Sequence, residues 1–207
     1  MKRFISLMIA ALLICSMASA FAAVPSKTTT NATVVTTVTT STGVEIAETF
    51  AVSVQEDSEP VAKEIEKIFT FVSEGNAPIE YFPVEVKEEI IAKLPETIVD
   101  AEIEINEFVT VDIADYAEEY GDVEISFSFT TVYAPEQTIV ALVGIYNGEV
   151  DENGEPIVEW IVLDAIVNED GSVAITFTQD AMVKMQAAES TSLAIINTPA
   201  VEEVPAE

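Results

Sequence analysis

GDVEISFSFTTVY (121–133), TIVALVGIY (138–146), IVEWIVLDAIV (157–167) and GSVAITFT (171–178) follow one another with turn chemistry between them. In the first, Val123, Ile125, Phe127 and Phe129 share one phase and Glu124, Ser126, Ser128 and Thr130 the other, the period-two alternation of a half-exposed strand. The second and third are almost unbroken apolar runs rich in Val and Ile, which predicts strands covered on both faces at the centre of a sheet. The fourth restores alternation through Val173, Ile175 and Phe177, and YNGEVDENGEP (146–156) and NEDGS (168–172) supply the Gly, Asn and Asp that tight turns require. The reading is a β-rich core.

Outward from that core, AEIEINEFVTVDI (101–113) keeps Ile103, Ile105, Val109, Val111 and Ile113 in one phase, interrupted only at Glu107, and predicts a strand with a bulge near Asn106. Ala114 to Tyr120 is then an acidic connection. GVEIAETFAVSVQED (43–57) predicts a further strand through Val44, Ile46, Phe50, Val52 and Val54. Ser58, Glu59 and Pro60 open a helix whose apolar positions are Val61, Ile65, Ile68, Phe69 and Val72, closed by Ser73-Glu74-Gly75-Asn76. A second helix runs from Val84 to Leu94 between Pro83 and Pro95, with Val86, Ile90, Ile91 and Leu94 facing inward, so the two make a small helical hairpin insert. QDAMVKMQAAE (179–189) predicts a short helix with Met182, Met185 and Ala188 as core filler, and SLAIINT (192–198) a last strand.

At the N-terminus, Met1-Lys2-Arg3, an uncharged apolar run from Phe4 to Met17 and the small-x-small patterns Ala18-Ser19-Ala20 and Ala20-Phe21-Ala22 make residues 1–22 a secretory signal peptide. Cys15 follows Ile14, not the small residue a lipid-attachment signal needs. Residues 23–43 are a Ser/Thr-rich spacer whose second half, Val34 to Thr40, is also able to pair as a strand, and 199–207 form an acidic, Pro-bearing tail. Residues 44–98 then form an αβ portion and 99–198 a β domain. The LPET at 94–97 lacks the following glycine of a wall-sorting signal, since Ile98 stands there.

Composition excludes more than it proposes. Cys15 is the sole cysteine, Arg3 the sole arginine, and histidine is absent. The formal net charge is −29, and losing Lys2 and Arg3 with the leader takes it to −31. Once the leader takes Cys15 with it, a mature chain without Cys or His is expected to have no thiol or Ser-His-Asp machinery, no ordinary zinc site and no His- or Cys-ligated haem, so neither cofactor nor catalytic residue is assigned. Such negative charge repels nucleic acid and anionic membrane surfaces.

Three features invite chemistry. Asp151, Asn153 and Glu155 in DENGEP place oxygens at alternate positions like the start of a calcium loop, but the Gly comes too early and a hairpin turn is the better account. Asp164, between Leu163 and Ala165, is the one acid in an apolar setting of the kind that makes a general acid, but a buried, hydrogen-bonded structural role or a strand-end position is the better account. Trp160, the sole tryptophan, together with Tyr133 and Tyr146 makes either a sugar-stacking platform or core packing, and apolar residues in both phases of its strand favour burial.

The succession of signal peptide, Thr-rich lead and several strands ending in DGSVAITFTQDAM resembles immunoglobulin-like β-sandwich modules of bacterial exported and surface proteins over roughly residues 100–198. That resemblance implies an antiparallel sandwich and a non-enzymatic role, with an unidentified protein or glycan partner at the cell surface or in the extracellular space. A carboxylate-dependent glycan hydrolase and a divalent-cation-dependent adhesin are the alternatives.

Overall fold

A computed structural model describes residues 34–40, 43–46, 51–55, 58–95, 103–135 and 137–198. The leader, the acidic tail and residues 96–97 of LPET lie outside these. The β-branched and aromatic runs form β1 (Val34–Thr40), β2 (Ala51–Gln55), β3 (Glu104–Ala114), β4 (Val123–Ser128), β5 (Ile139–Val150), β6 (Pro156–Val167), β7 (Val173–Phe177) and β8 (Ser190–Asn197). All pair antiparallel in a single sheet of order β1-β4-β7-β6-β5-β8-β3-β2. The architecture is thus one curled half-barrel sheet, where two facing sheets were expected. Its edges, β1 and β2, bend round until they approach each other, as the accumulated twist of a long antiparallel sheet allows.

Curling gives the sheet an inside and an outside, and both are apolar. Inside sit Val109, Val111, Ile125, Phe127, Val143, Leu163, Ile175, Phe177, Leu193 and Ile195 with their neighbours, closed by Ala181, Met182 and Met185 of α3 (Gln179–Ala187). The Met stripe is core filler, as expected, and Thr178 caps α3 by accepting the Ala181 N–H at 3.2 Å. Outside, α1 (Glu59–Ser73), a 3-10 turn (Pro78–Tyr81) and α2 (Val84–Lys93) cover β3, β5, β6 and β8 through Val61, Ile68, Ile79, Phe82 and Ile90 against Phe108, Val140, Leu142 and Ala194. β5 therefore contributes to both layers, which is why its sequence lacks alternation. The helices leave part of β6 open: Ile157 and Ile166 are exposed, so the double cover expected of that strand holds for only part of it. β4 keeps Glu124 outward and Val123, Ile125 and Phe127 inward.

Several local expectations shift with the tertiary frame. The bulge falls at Asn106, since Ile105 stands opposite Ile196 and Glu107 opposite Ile195. The extra residue turns Glu107 inward, where it is buried and accepts the Thr131 N–H at 3.0 Å. Within the Thr-rich stretch, Val34–Thr40 forms an edge strand, paired to β4 and turned at Gly43 onto the next segment, which it meets through the Thr39–Glu45 bridge and the Ile46 N–H bond to the Val38 carbonyl. Ser58 holds the N-cap of α1, yet its hydroxyl pairs with that of Ser190 at 2.5 Å and ties the helix start to β8. Phe69 and Ile91, read as inward, are exposed. α1 is rotated so that Val61, Glu64 and Ile68 face the sheet.

Candidate functional site

Tyr133 and Tyr146 are 1% and 2% exposed, and Trp160 is half-buried with its ring edge-on to Phe82 at 5.2 Å and Phe108 at 6.3 Å. These three make no open platform on the sheet. Asp164 is not in an apolar setting: its side chain is 77% exposed on β6 and pairs with Lys93 of α2. It stands near the C-terminal end of β6, where the helical cover thins, so it lacks the apolar burial that a general acid requires.

DENGEP is a hairpin turn stabilised by its own aspartate. One Asp151 oxygen accepts the N–H groups of Asn153 (2.8 Å) and Glu155 (2.9 Å) and the other the Asn153 amide (3.2 Å), and the N–H bond from Glu155 leads the effects that hold the carboxyl below its usual range. The Glu155 carboxylate points elsewhere, to Lys67 at 3.0 Å. The three oxygens thus do not converge, and no cluster of metal-ligating side chains occurs among the described residues. In NEDGS, Asp170 accepts from the Ser172 hydroxyl and N–H and is likewise held low.

The residues that do come together were not singled out from sequence. Glu64, on the inner stripe of α1 and 3% exposed, accepts the Tyr81 hydroxyl at 2.8 Å. Lys67, one turn on, lies 3.7 Å from Glu64 and links it to the Glu155 turn. Burial pushes the Glu64 carboxyl up, with the Tyr81 hydroxyl and Lys67 opposing. Burial and the neighbouring Glu64 push the Tyr81 phenol far up as well, so it stays a donor. The Tyr81 ring meets Phe71 and Phe82 edge-on, each at 5.7 Å, and Phe82 meets Trp160. An aromatic ladder therefore runs from the sheet to the surface of the helical layer.

At its outer end lies an open furrow of about 610 Å³, bounded by Lys67, Thr70, Phe71, Tyr81 and Glu155. Lys63 continues it into a second hollow of about 200 Å³ against Tyr146, Gly148, Val150 and Ile157 of the β5–β6 hairpin. Sequence did carry one signal for Tyr81: it sits between Pro78 and Pro83 in a segment too short for a helix and rigid enough to hold a ring in place. Glu64 carried none, because a charge on an amphipathic helix is ordinarily assigned to solvent. Compared with known proteins, the chain matches no family model, no curated protein and no solved structure.

The buried carboxyl makes a testable contribution to pH dependence. Because its folded pKa lies above its ordinary 4.5, the folded state holds the proton longer, and Glu64 destabilises progressively as pH rises through the window above 4.5. Glu64→Gln removes that titration while keeping an acceptor for Tyr81. In urea unfolding at fixed ionic strength, the variant should gain on the wild type as pH climbs from 4.5 and then hold a constant lead. A difference that does not vary with pH would show that Glu64 ionises alike in both states.

Proposed function

We propose that the protein is an exported, non-catalytic binding or structural module acting at the bacterial cell surface or in the extracellular space. The observation that carries this reading is the placement of Glu64. It is buried and its pKa is raised, as a general acid requires, yet it does not line the furrow: its carboxylate accepts the Tyr81 hydroxyl and faces Lys67, and those two side chains stand between it and the furrow. Missing Cys, His and Arg in the mature chain and a furrow without an enclosed floor agree with it.

One observation favours a hydrolase as the second reading: Glu64 and Glu155 both lie within ion-pair reach of Lys67, a pairing of carboxylates that glycosidases also use. Reducing-end release from soluble polysaccharides separates the two. The mature protein should release nothing above background while co-sedimenting with bacterial cell-envelope material. Release that disappears in both Glu64→Gln and Glu155→Gln would replace the module with the enzyme.

A further inference from the structure

We propose that the furrow beside α1 binds an uncharged polysaccharide, with Tyr81 and Phe71 as its stacking surface; this rests on the module reading above and supplies its ligand class. The two hollows both touch Lys63 and lie along α1 on the side of the β5–β6 hairpin, and each is open to solvent, a setting for a length of polymer and not for an enclosed small molecule. Both rings stand half-buried in its wall, and the ladder through Phe82 and Trp160 fixes Tyr81 from behind. Rigid rings with few torsions lose little entropy on binding, and the apolar faces of pyranose units pack on them.

The surrounding groups suit sugar hydroxyls. Lys63 offers donors, the Glu66 and Glu74 carboxylates offer acceptors, and the Thr70 hydroxyl, which donates to the Glu66 carbonyl, keeps acceptor capacity along the same edge. A polyanionic glycan is disfavoured by the overall charge and because Lys63 and Lys67 are already paired, to Glu59 at 2.9 Å and to Glu155. A peptide would draw its affinity from a free strand edge or an enclosed apolar anchor pocket, whereas the upper wall of this furrow is a helix whose backbone is internally bonded.

Affinity electrophoresis of the mature protein tests this, using native gels that contain xyloglucan, arabinoxylan, galactomannan or mixed-linkage β-glucan, with polygalacturonate and chitosan as charged comparators. At least one uncharged polymer should retard the wild type. Phe71→Ala and Tyr81→Ala should each weaken that retardation by about 10-fold or more, while Tyr81→Phe, which keeps the ring and loses the bond to Glu64, stays within about twofold. Cooperative melting confirms that each variant is folded, and Phe71→Ala, at the outer end of the ladder, decides the matter if Tyr81→Ala does not fold. Absence of retardation by every uncharged polymer, binding that survives loss of either ring, or retardation by chitosan alone would each overturn the proposal. Reducing ends are measured on the same samples. Neither binding nor release overturns the glycan furrow and leaves the module reading standing, whereas release overturns the module reading itself.

Discussion

Trp160→Ala should cost about 3–5 kcal/mol of folding stability, the range for removing a large aromatic from a packed site. Its indole is the link between the sheet and the helical layer, meeting Phe82 of the segment between the 3-10 turn and α2 on one side and Phe108 of β3 on the other. Deleting it leaves a void between two rings that are themselves buried, and α1, α2 and the 3-10 turn lose part of their seat on the outer face of the sheet. The same packing predicts blue-shifted native emission and weak quenching by acrylamide, a neutral quencher that the protein's charge does not repel. Denaturant melts followed by circular dichroism measure the loss. A change below about 1 kcal/mol together with ready quenching would mean that the ring stands free of the core.

Gly144→Val should cost about 3 kcal/mol or more, for the opposite reason. Gly144 lies in β5, paired with Trp160 of β6 on one side and Ser192 of β8 on the other. A Cβ placed there would stand 2.6 Å from the Ser192 hydroxyl, 2.8 Å from the indole and 3.1 Å from a Val158 methyl. Its backbone needs no unusual torsion, so the glycine is required by space alone. Those neighbours sit between paired strands and have little room to retreat. Gly144→Ala should show a smaller loss of the same sign, because one methyl demands less movement. The pair is measured by urea unfolding with Trp160 fluorescence, and a Gly144→Val protein as stable as the wild type would show that this region repacks freely.

How far sequence reached can be seen in particular residues. Alternation located Val123, Ile125 and Phe127 on one face of β4, and continuous apolarity identified β5 as covered twice, because period and burial are local records of a strand's two faces. The single break in that pattern at Glu107 marked the bulge at Asn106. Trp160 was legible as a packing residue for the same reason, although the cover over its strand proved incomplete. The apolar setting expected of Asp164 is absent: it shares a face with Val158, Trp160 and Val162, but lies at the margin of the helical cover over that face, where it meets water and Lys93. Glu64 and Tyr81 went unseen as a pair because 17 residues separate them and nothing in either segment points to the other.

By itself the sequence determined most of the strands and helices, their turns, the acidic charge and the absence of histidine, all of which depend on residue type and spacing along the chain. Only the tertiary structure decided that eight strands make one curled sheet, that α1 rotates to bury Glu64, and that a furrow opens beside Tyr81. Those are matters of which surfaces meet. Strand order and helix rotation are set by the competition of many apolar faces for one another, and that competition leaves no mark at any single position.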